Sequence, residues 1–428
     1  EIKDADWIIE AVLERMDVKL AIHARIAAHA RPDALITTNT SGLSIAGITK
    51  GLPLEHRRRF FGAHFFNPPR YVRLLELIPT PDTDPALLKS FGEFGEVVLG
   101  QGIVRAKDTP GFVANRIGCF DLQQVVWRMI EQGLSIDEVD AITGPAIGRP
   151  TSATFRLGDL VGVDLMAQMS RNLRELLPHD PQVAVFCPVD FIEDMVQRGW
   201  WGRKKGQGFY QRVKSDKGRQ ILTLDYQTME YRPQQKPRFA SLEAAGKIAD
   251  PAERLRTLCA VPDPAGVFAW KHLSSVLCYA ANRLTEIADD VVTVDNAMKW
   301  GYNWDLGPFE IWDALGVRAT AERLTQEGCP VPEIVNNLLV AGKASFYEER
   351  DGKRSVPSAG GGPDRRAQSS CTTRMKTAPA LVTLLGCFAS LFGASQSATA
   401  ADAQAAVTAQ VQQQSASLLE LYRHFHSN

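Results

Sequence analysis

The chain has 428 residues, 45% apolar and 23% charged, a composition typical of soluble globular proteins and long enough for several domains. Lys and Arg total 48 against 49 for Asp and Glu, so no net charge draws it to nucleic acid or to an acidic membrane. The 7 cysteines stand singly, with no CxxC pair, which points to reduced thiols in a cytoplasmic protein and to neither a metal site nor a disulfide framework.

The chain opens on Glu1-Ile2-Lys3-Asp4-Ala5-Asp6, with no initiator Met or targeting signal, and drops at once into a buried-strand pattern, Trp7–Val12. A start this close to a core strand reads as a fragment. Helical spacing follows over Met16–Ala28, with Val18, Leu20, Ala21 and Ile26 on one face. Ala34–Thr38 is a second strand, introduced by the breaker Pro32-Asp33. Phe60–Phe66, Leu74–Ile78 and Glu96–Leu99 complete the predicted strands. This alternation predicts an α/β domain over residues 1–106, built on a parallel, doubly wound sheet.

From Asp108 the pattern becomes helical. Pro110-Gly111 breaks the chain, and Phe112–Gly133 carries apolar residues at helical spacing. A helical domain is expected over 107–211, then a linker over 212–264, polar around Arg212–Pro237, and a second helical domain over 265–350. The two helical regions read as copies. Val113-Ala114-Asn115-Arg116-Ile117 parallels Ala280-Ala281-Asn282-Arg283-Leu284, Val139-Asp140-Ala141-Ile142 parallels Val294-Asp295-Asn296-Ala297, and Gly158–Val163 parallels Trp312–Val317. Three matches in one order favour duplication.

Ligands of such sheets sit outside the carboxyl ends of the strands. Asn39-Thr40-Ser41 follows the second strand, where these residues present polar groups to a ligand or serve as turn and cap formers. His64, in Gly62–Pro68, is at the end of an apolar strand, and a satisfied core histidine is the competing reading. Glu76 lies inside the apolar strand Leu74–Ile78, and a buried carboxylate requires a partner. A strand bearing a histidine nearby supplies one. Together they suggest a dyad in which Glu76 orients the imidazole and stabilises its protonated form.

The segments IEAVLE (9–14), TNTSGL (38–43), GAHFFNPPR (62–70), LLELI (74–78) and KDTPGFVANR (107–116) resemble the 3-hydroxyacyl-CoA dehydrogenase family, over essentially residues 1–350. HFFNPPRY, TGPAIGRPTSATFRLGDLVGVD and MKWGYNWDLGPFEIWDALGV further resemble its long bacterial type, in which duplicated helical domains precede an enoyl-CoA hydratase domain. No hydratase sequence is found here. The resemblance implies an incomplete Rossmann-type domain that takes NAD and helical domains that close over acyl-CoA. It implies oxidation of (S)-3-hydroxyacyl-CoA to 3-oxoacyl-CoA in fatty-acid β-oxidation, with His64 as general base and Glu76 orienting it. Ser41 and Asn115 would hydrogen-bond the reacting oxygens, while Glu14, Lys19 and Asn39 would lie on the cofactor side. The family's Gly-rich phosphate loop is expected ahead of residue 1, so the chain alone is expected to be inactive. A homo-oligomer or a β-oxidation complex is the expected assembly, without stable membrane insertion. Gly206–Tyr210, after Arg203-Lys204-Lys205, resembles the family's end-of-domain loop; its basic residues meet CoA phosphates or form a solvated charge run.

Residues 351–428 read as a foreign or disordered tail. Within them 375–400 resembles a secretory signal peptide, with a basic start, an apolar run and small residues ending Ala398-Thr399-Ala400. Leu418–Asn428 is similar to the opening helix of secreted amidohydrolase-type peptidases. Competing functions are NADP-dependent hydroxy-acid dehydrogenation, which uses a Lys as acid/base, a secreted hydrolase read from the tail alone, and a non-catalytic acyl-CoA-binding or oligomerisation module.

Overall fold

The computed structural model describes residues 2–215, 218–350 and 353–355. The signal-like segment, the peptidase-like segment, Cys371 and Cys387 lie outside the described residues. Among the described residues no helix is long and apolar enough to cross a membrane.

Residues up to Arg105 form a five-stranded sheet in the order β1 (Trp7–Glu10), β2 (Leu35–Thr38), β3 (Phe60–Phe65), β4 (Leu74–Pro79), β5 (Gly102–Arg105). Helix α1 (Met16–His29) joins β1 to β2, α2 (Ile45–Ile48) and α3 (Leu54–Arg58) lead to β3, and α4 (Pro85–Val97) leads to β5. The architecture is Rossmann-like, but the sheet is mixed where an all-parallel one was expected: β3 and β4 pair antiparallel, and the other three pairings are parallel. The connection over 66–73 explains this, being shorter than the dozen or so residues a parallel crossover needs.

The expected strand at Glu96–Leu99 is also corrected. Asp84 caps α4 through Ala86 N, Pro85 starts it, and Leu88, Phe91 and Gly95 are buried at helical spacing. That helix runs through Val97, and the strand forms later, at β5. Phe61, Ala63, Leu75 and Leu77 face α4, whereas Phe60, Leu74 and Ile78 join the core shared with the helical units. By the two-residue alternation of a strand, His64 and Glu76 point to that second, helical side.

The first helical unit comprises α5 (Ala114–Gln132), α6 (Ile136–Ile142), α7 (Phe155–Val161), α8 (Val163–Leu176) and α9 (Asp190–Gln197). The stretch expected as a linker is instead structured. An antiparallel meander, β6 (Tyr210–Ser215), β7 (Gly218–Asp225) and β8 (Glu230–Pro233), is followed by α10 (Ala240–Ala245) and α11 (Pro251–Ala260). The meander is polar because nearly all of its side chains are exposed or half-buried, and Thr223 and Leu224 alone among the described residues of β7 are buried. The second unit comprises α12 (Pro264–Ile287), α13 (Val291–Gly301), α14 (Pro308–Leu315), α15 (Val317–Gln326) and α16 (Glu333–Val340), before a short β9–β10 hairpin (Glu348–Arg350, Lys353–Ser355).

The duplication is visible as a repeated hydrogen-bond frame. Asp140 accepts from Phe155 N at 2.7 Å and from the Tyr210 hydroxyl at 2.7 Å. Asp295 accepts from Phe309 N at 2.8 Å and from the Tyr347 hydroxyl at 2.6 Å. Asp159 holds Phe209 N and Tyr210 N, as Asp313 holds Phe346 N and Tyr347 N. The Phe-Tyr pair at 209–210 and 346–347 is thus a further repeated element. The copies meet along α5 and α12, where Phe120 stacks on Tyr279 with ring centroids 3.8 Å apart.

Candidate active site

The antiparallel register sets His64 opposite Glu76. The His64 Nδ1 to Glu76 Oε2 distance is 2.7 Å, with His64 4% exposed and Glu76 fully buried. Glu76 Oε1 accepts from Val113 N at 3.1 Å and Ala114 N at 2.9 Å, the first amides of α5. Gly111 (φ 75°) and Phe112 (φ 49°) are both left-handed, which turns the chain so that the helix start faces the carboxylate. A buried carboxylate is costly, and here a histidine and a helix N-terminus compensate it. Phe66 and Phe112 enclose the imidazole, their rings 4.7 and 5.5 Å from it. With Nδ1 bound to Glu76, Nε2 is the nitrogen left to take a proton.

Of the other expected residues, Glu14 follows β1, Asn39 and Ser41 follow β2, Lys19 lies on α1 and Asn115 on α5. Ser41 is exposed, in the loop after β2. Asn39 accepts from Phe65 N at 2.9 Å, tying that loop to the residue after His64. Glu14 accepts from the Thr40 hydroxyl, Ser41 N and Gly42 N, so it shapes the same loop. Lys19 is 1% exposed and sits behind it, 3.5 Å from Glu14 Oε2 and 2.9 Å from Glu10 Oε1. These residues therefore hold the loop from within. Asn115, one residue beyond the amides that bind Glu76, is 8% exposed and accepts a hydrogen bond from the Tyr302 hydroxyl at 3.2 Å.

Glu10 was not singled out from the sequence. It gathers Lys19, His23 and the Thr38 hydroxyl around one buried carboxylate at the end of β1. Burial pushes its carboxyl up, but His23 and Lys19 outweigh that and hold it at about 2. The signal available was the Glu inside the apolar run Trp7–Val12, the same pattern that exposed Glu76. Tyr302 was missed as well, being distant in sequence from every other site residue.

A family model described as the NAD binding domain of 3-hydroxyacyl-CoA dehydrogenase matches residues 1–109, and one for the C-terminal domain of that enzyme matches 111–212. A 3-hydroxybutyryl-CoA dehydrogenase of Mycobacterium tuberculosis is 33% identical over 214 residues, covering 49% of this chain and 71% of that protein. The chain belongs to the 3-hydroxyacyl-CoA dehydrogenase family. A probable 3-hydroxyacyl-CoA dehydrogenase of Bacillus subtilis is 44% identical over 352 residues, 82% of this chain but 44% of that protein. The chain thus spans less than half of this relative's length. The crystal structure of 3-hydroxybutyryl-CoA dehydrogenase from Escherichia coli has the same fold, with a TM-score of 0.61 at 21% identity, covering 80% of this chain and 83% of that one.

Val12 and Leu13 are apolar yet 36% and 51% exposed, and they follow β1 next to the loop that bears Ser41. An exposed apolar pair beside hydroxyl and amide groups suits a flat, polar-edged ring.

Proposed function

We propose that this protein oxidises (S)-3-hydroxyacyl-CoA to 3-oxoacyl-CoA, the dehydrogenation step of fatty-acid β-oxidation, with NAD as cofactor. The His64–Glu76 dyad, fixed by the start of α5, carries the reading. His64 Nε2 takes the proton of the substrate's 3-hydroxyl as the C3–O bond becomes a carbonyl. Glu76 keeps the imidazole oriented and stabilises the imidazolium that forms. Ser41 and the Asn115 amide hydrogen-bond the reacting oxygens. NAD, when bound, supplies the hydride acceptor for C3. Val12, Leu13 and the Asn39–Ser41 loop would hold its ring end, and Glu14, backed by Lys19, keeps that loop in place.

The test is NADH formation from 3-hydroxybutyryl-CoA by the chain, alone and joined to a Gly-rich phosphate-binding βαβ unit. The expected result is turnover with the unit supplied, reduced by about a thousandfold in His64→Ala, within the range of a positioned general base. Absence of NADH in both forms overturns the reading and favours a non-catalytic acyl-CoA-binding module.

A further inference from the structure

We propose that Tyr302, supplied by the second helical copy, is a positioning residue for this reaction: its hydroxyl holds Asn115 Oδ1 and thereby turns the Asn115 amide NH2 toward the substrate's reacting oxygen. The inference rests on the dehydrogenase reading above.

Asn115 is almost fully enclosed, and its side-chain carbonyl accepts from the Tyr302 hydroxyl at 3.2 Å. An amide whose oxygen is turned to a hydroxyl donor presents its NH2 on the other side, and a donor is what an oxygen gaining charge requires. In the reverse orientation the carbonyl would face that oxygen and repel it. The phenol itself is well placed to enforce the choice. Burial pushes Tyr302 well above the ordinary tyrosine value, and the neighbouring Cys119, Asp121 and Glu76 act in the same direction, so it remains a donor.

The seat for this ring is built into both copies. Tyr302 directly follows α13 and lies against Gly118, three residues on from Asn115 and so on the same face of α5. A Cβ at Gly118 would come within 2.1 Å of Tyr302 Cζ, so glycine there is what admits the phenol. The opposite contact runs to Phe66, whose ring lies 6.1 Å from Tyr302 and 4.7 Å from His64. Tyr302 therefore touches the surroundings of both His64 and Asn115. The first copy supplies the amide, and the second copy, through Tyr302, sets its orientation.

The experiment compares Tyr302→Phe, Asn115→Ala and the double variant in the form of the protein that turns over 3-hydroxybutyryl-CoA. Tyr302→Phe keeps the ring and removes one hydrogen bond. The expected result is a fall in kcat of about tenfold, the order one hydrogen bond is worth, with KM unchanged and the thermal midpoint lowered by no more than a few degrees. In the Asn115→Ala background Tyr302→Phe is expected to add nothing, because the two act as one unit. A wedge that merely packs the copies would instead show the same loss in both backgrounds, or a lowered midpoint with kcat intact, and either overturns the proposal. Full activity of Tyr302→Phe beside an inactive His64→Ala overturns the Tyr302 role alone. Silence of the unaltered protein brings down the dehydrogenase reading and this inference with it.

Discussion

The two helical copies share a frame and differ in what they do with it. Both anchor a helix start on a buried aspartate, Asp140 or Asp295, and both clamp a Phe-Tyr pair with a second one, Asp159 or Asp313. At the matching position on the long helix, Asn115 is buried against the site while Asn282 is exposed. The next residue differs as well. Arg116 is fully enclosed, 2.7 Å from Asp180 and bonded to the Tyr279 hydroxyl of the other copy, whereas Arg283 pairs with Glu286 near the surface. The frame is therefore a folding device, and the proposed site chemistry is added to it locally. One copy presents Asn115 and the amides that bind Glu76, and the other contributes Tyr302.

The arginines give the largest expected separation. Arg116→Ala leaves Asp180 buried without its cation and should cost about 3–5 kcal/mol, while Arg283→Ala removes a half-exposed pair and should cost less than about 1 kcal/mol. Chemical denaturation of the two variants reads the difference. Equal losses would mean that the copies are joined by more than this contact.

Acid should separate the sheet from both copies. Glu10 is held at about 2 against an ordinary 4.5, so its partners add stability that is complete above 4.5 and is lost as pH falls toward 2. The loss is on the order of 3 kcal/mol. Asp140 behaves in the opposite sense: burial raises it to about 6, so its contribution is fully present at acid pH and declines as pH rises through 6. Burial raises Asp295 too, with the neighbouring Glu310 adding to it. Hydrogen exchange at pH 3 and pH 6 should show β1 and β2 loosening at the lower value while α7 and α14, whose first amides bond Asp140 and Asp295, stay protected. Glu10→Gln should flatten that dependence. A uniform loss of protection would contradict the assignment.

The smallest effect tests the equivalence of the frames. Tyr210→Phe and Tyr347→Phe each remove one hydrogen bond to the repeated aspartate and should each cost about 1 kcal/mol, read from the denaturation midpoint. A marked inequality would show that the two aspartates do not carry the same load.

Much of this was written in the sequence because it is local. The apolar runs at Trp7–Val12, Phe60–Phe66 and Leu74–Ile78 contain strands, and His64 and Glu76 inside two of them marked buried groups in need of a partner. Repetition along the chain revealed the two helical units, since copies keep the residues that start and end their helices. Other features were not legible, for equally physical reasons. The polar stretch after Tyr210 has the composition of a linker, yet strands with exposed faces bury too little to betray themselves. The residues Glu96–Leu99 favour a strand locally, but α4 carries through Val97, its earlier turns packed on the sheet. Only the antiparallel turn after β3 brings His64 and Glu76 to 2.7 Å, and only the docking of the second copy places Tyr302 on Asn115. Sequence determined which residue types had to be satisfied. Tertiary structure decided by which partners, because hydrogen bonds reach about 3 Å and those partners come from distant parts of the chain.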